Sequence, residues 1–255
     1  MILYKYMKAE DAKKILREKT LLMSRLSAFN DPFEGRACLT YDPADETRYV
    51  SSRENVLLNF HGQEAFAFCL TRSPLNPLMW AHYADQHKGV VMGIEVNIPF
   101  FTSADECVLP VQHGSIIYTK TKPFHDYPMP GTEVADFACP QRYEPENLER
   151  LQRLFLYKSS DWAYEEEVRV IKHIKRLLPK VLSSSYGPDA ETDAHGPLKV
   201  VVRVSDLSIR EIYLGCRTEP AVAGELEKLA PTVPLKSCRT SARDWSLDPD
   251  VSMGQ

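Results

Sequence analysis

Glycine is scarce in this chain, and its scarcity removes the two commonest ways of binding a nucleotide. The 255 residues include 11 glycines against 18 prolines. Neither G-x-G-x-x-G nor G-x-x-x-x-G-K-[S/T] occurs, so no glycine-rich loop is available to cradle a phosphate. A nucleotide would have to be held by another device, and the prolines predict many rigid connections.

Long hydrophobic runs and paired cysteines are also missing. No stretch approaches the ~18 consecutive apolar residues of a membrane span, and the N-terminus becomes charged too early for a secretory signal. The six cysteines form no C-x-x-C, and no histidine lies at zinc-finger spacing from a cysteine pair. We therefore expect a cytoplasmic protein with reduced thiols and without a metal site.

The charge balance is mildly acidic, with a net charge of −4, and 44% of the residues are hydrophobic. The apolar fraction is ample for a packed core and excludes a disordered chain. The missing basic excess argues against indiscriminate nucleic-acid binding, while a local basic patch stays open.

Strand and helix patterns mix without strict alternation. Strands are predicted at residues 2–6, 65–71, 89–96, 115–118, 166–174, 198–204, 209–214 and 233–238. Helices are predicted at residues 9–22, 78–85, 146–158 and 221–229. A helix or an exposed excursion is predicted at 42–64, and a long irregular connection at 121–145. We therefore predict one α+β domain over residues 1–245, with mixed, largely antiparallel sheets flanked by helices, and a loose tail over 246–255.

An acidic row near residue 165 is the first candidate for chemistry. In a strand, Glu165, Glu167, Arg169 and Ile171 would share one face. Neighbouring carboxylates on such a face would lie roughly 7 Å apart, which suits a cleft for a charged or polyhydroxyl ligand. The alternative is an ordinary solvated face whose acidic residues pair with Arg169.

Residues 78–89, LMWAHYADQHKG, are the second candidate. Their aromatic and imidazole side chains would stack on a base, and Lys88 would hold a phosphate. The alternative is that Trp80 and Tyr83 cover the core while His82 and the other polar side chains decorate its rim.

A third candidate joins LYKY (residues 3–6) to FNDPFE (residues 29–34). Asn30 and Asp31 are expected to cap a turn that Pro32 rigidifies, which favours a structural role. Lys5 is different, because a lysine inside a short β-prone run needs a polar environment.

These stretches, together with FCLT (68–71) and WAYEEEVR (162–169), resemble a widespread bacterial family whose label is a domain of unknown function. The motifs follow one another in the family's order from residue 3 to about residue 171. The resemblance itself implies no activity.

The pattern is also similar to the ADP-ribosyltransferase fold, whose members hold NAD between two small antiparallel sheets without a glycine loop. In that fold an early strand of the type LY[HR] holds NAD, and a late strand carries the catalytic glutamate, often within E-x-E-V. Lys5 stands at the early position, where histidine or arginine is usual, and no clear Ser-Thr-Ser is present. Residues 68–74 look like the middle strand and its turn, and EEEV (165–168) looks like the late motif.

The second resemblance implies roles for individual residues. Glu167 would be the catalytic carboxylate and Glu165 the helper on the acceptor side. NAD would be the substrate, and no metal is implied. The residues expected to contact NAD are Tyr4, Lys5, Thr71, Trp80, His82, Tyr83 and Arg169.

We therefore expect an NAD-dependent ADP-ribosyltransferase that modifies a protein or nucleic-acid acceptor, as a toxin or anti-phage effector with an antitoxin or defence partner. Transfer from NAD passes through an oxocarbenium-like state, which a carboxylate stabilises. Two alternatives stay open: a non-catalytic module that binds a nucleotide or partner in the same cleft, and a metal-dependent nuclease or hydrolase.

Overall fold

The computed structural model describes residues 1–34, 64–121, 140–182, 192–193 and 196–251. Within them the chain forms one α+β domain with a mixed, largely antiparallel sheet and several helices, which confirms the predicted fold class. Most of the predicted excursion at 42–64 and of the connection at 121–145 lies outside the described residues.

The elements follow one another irregularly along the chain. The strands are β1 (Ile2–Met7), β2 (Thr20–Ser24), β3 (Ala65–Thr71), β4 (Val90–Glu95), β5 (Ile117–Thr119), β6 (Tyr157–Ser159), β7 (Glu167–His173), β8 (Thr192–Asp193), β9 (Gly196–Pro197), β10 (Lys199–Arg203), β11 (Ile209–Leu214), β12 (Leu235–Thr240) and β13 (Leu247–Val251). The helices are α1 (Ala9–Glu18), α2 (Pro77–Tyr83), α3 (Pro99–Thr102), α4 (Leu148–Phe155), α5 (Ile174–Leu177) and α6 (Pro220–Leu229). Short 3₁₀ turns include Leu26–Ala28 and Ser160–Glu165.

The main sheet has the order β10-β2-β3-β1-β4-β11-β12-β13, and β7 joins it through β3. Its strand pairs are antiparallel except for β11 and β12, which run parallel. β5 and β6 form a separate parallel pair.

The sheet forks at β3, and the fork positions the candidate site. One edge of β3 pairs with β7 along its whole length. The other edge meets β2 at Ala67, opposite Ser24, and meets β1 at Thr71, opposite Tyr4. Strands β1 and β2 therefore part on either side of Cys69, and a cleft opens between them.

The core lies on both faces of β3, as its alternating side chains require. Phe66, Phe68 and Leu70 pack into a cluster that also contains Leu226 of α6. Ala65 and Ala67 join a second cluster, which contains Leu151 and other residues of α4. A third cluster surrounds Trp80 of α2. The charged site lies on the α4 side of the sheet, because Ile171 of that second cluster shares a face with Glu167 and Arg169.

Two predicted helices are too long. The predicted helix over residues 9–22 ends at Glu18, because Lys19 adopts a left-handed conformation with φ of 54° and the chain continues as β2. The predicted helix over 146–158 begins with a 3₁₀ turn and ends at Phe155, after which Tyr157 enters β6. Strand pairing overrides the helical pattern in both cases.

The predicted loose tail over residues 246–255 is wrong for its first part. Residues Leu247–Val251 form β13, which pairs antiparallel with β12 over five residue pairs. Leu247 is buried in the cluster around Trp80. Burial of this leucine together with strand pairing anchors a segment whose polar composition suggested no order.

Candidate functional site

A cavity of about 400 Å³ occupies the cleft where β1 and β2 part. This volume lies within the range typical of small-molecule sites. The walls come from β1, β2, β3, α2 and the segment 158–167. The lining residues are Tyr4, Lys5, Tyr6, Ser24, Ala28, Phe29, Asn30, Cys69, Leu70, Thr71, Met79, Tyr83, Lys158, Glu165, Glu167 and Lys199.

Strand β7 aims Glu167 and Arg169 at one side of the sheet, as the predicted alternation requires. Its first residue, Glu167, pairs with Thr71 of β3, and Arg169 pairs with Cys69. Both charged side chains are buried, with 7% and 0% of their surface exposed. The solvent exposure assumed in the alternative is therefore wrong, whereas the pairing of Glu167 with Arg169 is present.

Glu165 reaches the same place from a different backbone conformation. It ends the 3₁₀ turn Ser160–Glu165 rather than lying in the predicted strand. Glu166 then adopts a left-handed conformation with φ of 45°, and β7 begins at the next residue. The turn leaves the Glu165 side chain 5% exposed, next to the ammonium group of Lys158.

Lys158 gathers three carboxylates. Its Nζ lies 2.6 Å from Glu165 Oε2, 3.1 Å from Glu167 Oε2 and 3.3 Å from Glu34 Oε1. Each of these side chains is at most 7% exposed. Such ions are costly to bury unless charges and hydrogen bonds compensate them, and this cluster supplies both.

Electrostatics keeps the central groups ionised. Burial acts to raise the pKa of Glu167, but the charge and hydrogen bonds of Arg169, assisted by Lys158, lower that pKa to about 2. Burial opposes the charge on Lys158, yet the carboxylates of Glu167 and Glu34 raise its pKa above the ordinary value. Glu167 is therefore a carboxylate, and Lys158 an ammonium ion, at neutral pH.

Helix α2 supplies Tyr83. Asn76 caps the helix by accepting hydrogen bonds from the backbone N–H groups of Leu78 and Met79, and Pro77 follows at the first helical position. The Asn76 amide also donates to the carbonyl of Tyr164, which ties α2 to the turn that carries Glu165. Across this tie, the Tyr83 hydroxyl donates to Glu165 Oε1 at 2.7 Å.

Lys5 provides a cation on the β1 wall. Its Nζ donates to the Cys69 carbonyl at 2.8 Å and lies 5.3 Å from the centre of the Phe68 ring. The lysine thus bridges the gap in the fork, where no backbone of β1 reaches β3. The Cys69 carbonyl thus provides the polar environment that a lysine in a β-prone run was expected to need.

The predicted NAD-contacting and catalytic residues divide into two groups. Those that line the one cavity are Tyr4, Lys5, Thr71, Tyr83, Glu165 and Glu167. Arg169 lies behind Glu167, and His82 is exposed on α2. Trp80 is fully buried, and its indole N–H donates to the Pro74 carbonyl at 2.9 Å. The roles themselves stay predictions.

Trp80 and His82 follow the structural alternative for the second motif. Trp80 packs edge-on against Tyr6, and the His87 ring stacks on Trp80 at 6.3 Å between centres. Asp85, Gln86 and His87 are all left-handed, and they form a tight turn before Gly89. A Cβ at Gly89 would lie 2.3 Å from the Met7 carbonyl oxygen, so only glycine fits there.

Sequence reasoning missed Glu34 and Lys158. Glu34 ends the FNDPFE motif, for which a structural turn was predicted, and Asp31 does stabilise that turn by accepting a hydrogen bond from the Phe33 N–H at 2.9 Å. Asn30 lines the cavity. A signal for Glu34 was its place after a rigid aromatic turn, whereas nothing in the sequence around Lys158 marks it.

The described residues contain no group of three or more histidine, cysteine, aspartate or glutamate side chains that could hold a metal ion. The described cysteines, Cys69, Cys107, Cys216 and Cys238, are free thiols, while residues 38 and 139 lie outside the described ranges. Within the same ranges, no helix has the length and apolar character needed to cross a membrane.

The fold and the site define an α+β protein with a forked, largely antiparallel sheet and a cleft whose buried carboxylates pair with Lys158 and Arg169. Residues 79–170, less than half of the chain, match the model of the family described as "Protein of unknown function (DUF2971)", which confirms the predicted resemblance to a family of unknown function over this part of the chain. The match covers the MWAHYADQHKG and WAYEEEVR motifs, whereas LYKY, FNDPFE and FCLT lie before its first residue. No curated protein and no solved structure matches the chain.

Proposed function

We propose that the cleft binds NAD and transfers its ADP-ribose to a protein or nucleic-acid acceptor. The observation that carries the proposal is the convergence of Lys5, Tyr83, Glu165 and Glu167 on one cavity. These residues are separated by up to 162 positions in the sequence, from residue 5 to residue 167. The proposal includes a cytoplasmic location and a role as a toxin or anti-phage effector.

The proposed chemistry begins with loss of nicotinamide. The bond between the ribose C1′ and the nicotinamide nitrogen breaks, and the electron pair leaves with nicotinamide. Positive charge then develops on the ribose ring, and a carboxylate held ionised beside it stabilises that charge. Glu167 meets this requirement, because its pKa of about 2 leaves it charged throughout the physiological range.

The acceptor then attacks C1′ and loses a proton. Glu165 is placed to receive that proton, directly or through the Tyr83 hydroxyl that donates to its Oε1. Burial and the bond to Glu165 raise the pKa of Tyr83, so the phenol stays protonated and can relay a proton. Lys5 and Lys199 also line the cavity and supply positive charge for the diphosphate.

The carboxylates of the cavity favour an enzyme over a simple binding module. Glu165 and Glu167 line the cavity together with the cations Lys5, Lys158 and Lys199. A site that only bound an anionic nucleotide would gain nothing from these two carboxylates. A site that stabilises a developing cation gains from them directly.

The test is release of nicotinamide from labelled NAD in the presence of candidate acceptors. We expect release by the natural chain and a loss of about 100-fold or more in the Glu167→Gln variant. The matched control is Glu106→Gln, which removes a half-exposed carboxylate paired with Lys180 outside the cavity. Its rate should stay within about twofold of the natural rate, since charge changes far from a site have small effects.

Three outcomes would overturn the proposal. Equal release by Glu167→Gln and the natural chain would remove the glutamate from the reaction. Binding of NAD without release, with every acceptor tried, would favour the non-catalytic module. Cleavage of RNA or DNA that depends on a divalent metal would favour the hydrolase.

A further inference from the structure

The FNDPFE turn contributes a charge that the proposed chemistry leaves without a role. Glu34 is the last residue of that motif, and its side chain is 1% exposed. It is absent from the residues that line the cavity, so it makes no direct contact with a ligand there. A buried carboxylate outside the cavity requires another explanation.

The partner of Glu34 is Arg169, which holds it in a two-pronged ion pair. Arg169 Nη1 lies 2.8 Å from Glu34 Oε2, and Nη2 lies 2.6 Å from Oε1. The planar guanidinium matches a carboxylate in this arrangement, which fixes the direction of both groups. The Arg169 side chain is completely buried, so solvent does not compete for its N–H groups.

The rest of the guanidinium holds Glu167. Arg169 Nε donates to Glu167 Oε1 at 2.7 Å, and Nη2 donates to Oε2 at 3.0 Å. Nη1 also donates to the Phe155 carbonyl at 2.7 Å. These contacts and the pair with Glu34 engage all five N–H groups that a guanidinium possesses. Rotation of Arg169 would therefore break several buried bonds at once.

We propose that Glu34 is a positioning residue that orients Glu167 through Arg169. The inference rests on the proposed function for its catalytic consequence, whereas the orientation itself is independent of any substrate. The ion pair with Glu34 fixes the orientation of the guanidinium. The N–H groups on its other side then hold both carboxylate oxygens of Glu167 in one orientation. The FNDPFE turn is thereby linked to the cleft without touching its contents.

The catalytic test is the Glu34→Gln variant, which keeps the size of the side chain but replaces one accepting oxygen with a donor. We expect kcat to fall about 10- to 100-fold, because misplacing a reacting group by about 1 Å has an effect of this size. KM should change by less than about twofold, since Glu34 does not line the cavity. The matched control, Glu149→Gln, removes an exposed carboxylate that pairs with Arg153 on α4, and should leave both constants unchanged.

A second readout needs no catalysis. With ¹⁵N-labelled arginine, the natural chain should show separate, slowly exchanging Nη signals from Arg169, identified by their loss in Arg169→Lys. In Glu34→Gln these signals should merge or exchange with solvent, because one side of the guanidinium is released. If the natural chain cleaves no NAD but the signals still merge, the proposed function fails and the positioning role of Glu34 stands.

Unchanged kcat together with unchanged Arg169 signals in Glu34→Gln would overturn the inference. Should that variant fail to fold, Glu34→Asp provides the same decision, because it keeps the charge but is too short to form both bonds without movement. We expect Glu34→Asp to lower kcat with KM retained and to broaden the Arg169 signals. Natural values of both in Glu34→Asp would contradict the positioning role.

Discussion

The two motifs inside residues 79–170 behave in opposite ways. MWAHYADQHKG looks like a ligand-binding segment, yet its tryptophan is fully buried, and of its ring side chains only Tyr83 lines the cavity. WAYEEEVR was predicted to line a cleft, with a solvated acidic face as the alternative, and Glu165, Glu167 and Arg169 are buried around the cleft. The aromatic motif therefore contributes mainly to the core, and the acidic motif contributes to the site.

The difference shows what decides each environment. An indole gains a large free energy from burial and needs one hydrogen-bond acceptor, which the local Pro74 carbonyl supplies. Buried carboxylates need cations and donors, and these come from distant parts of the chain at Lys158, Arg169 and Tyr83. The first motif satisfies itself locally, whereas the second depends on the tertiary fold.

The largest effect should follow from Trp80→Ala. Truncation of this fully buried side chain should lower the free energy of unfolding by about 3 to 5 kcal/mol. The exposed His82→Ala on the same helix should change it by at most about 0.5 kcal/mol. Urea unfolding measures both. A loss below 1 kcal/mol in Trp80→Ala, or equal losses in both variants, would show that the motif is not a core element.

The free energy of unfolding should depend on pH through Glu167 of the acidic motif. The folded-state pKa of Glu167 is about 2, below the ordinary value of 4.5, so its ionisation stabilises the fold above pH 4.5. That contribution, about 3 kcal/mol, should disappear as the pH falls from 4.5 to 2. The free energy of unfolding of the natural chain should therefore converge on that of Glu167→Gln across this window. Parallel curves would contradict the lowered pKa.

The smallest effect is expected at the edge of the sheet. Arg239 pairs with Asp250 across β12 and β13, but the two side chains are 75% and 47% exposed. Arg239→Ala should therefore lower the free energy of unfolding by at most about 1 kcal/mol, and less in 1 M salt. Urea titrations at two salt concentrations check this. A larger loss that persists in high salt would mean that this exposed ion pair contributes as much to stability as the buried pairs around Glu167.

Local sequence patterns were sufficient for much of the fold. The apolar residues of 65–71 and 209–214 predicted β3 and β11 at their observed bounds, because most side chains of both strands are buried. Helix α2 was also predicted to within two residues, since a proline marks its start. The pattern failed at Thr20–Ser24, where pairing with β10 converts the predicted end of a helix into a strand.

The candidate site could be predicted only in part for a related reason. The motifs that contain Lys5, Tyr83, Glu165 and Glu167 predicted a functional role from residue type and spacing. Lys158 has no such signal, because its role arises from the position of β6 beside three carboxylates contributed by separate segments. The fork between β1 and β2, which creates the cavity, depends on pairings that no local pattern encodes.

The most direct test of the central claim is calorimetric titration of NAD into Glu167→Gln, in which slow turnover lets the heat report binding alone. We expect one site per chain with a dissociation constant in the range of about 1 μM to 1 mM, typical of enzyme substrates. Adding Lys5→Met to this variant should weaken binding at least tenfold, because it removes the cation beside Cys69 from the cavity wall. Absence of binding heat, or equal affinity in the two variants, would contradict the assignment of this cleft to NAD.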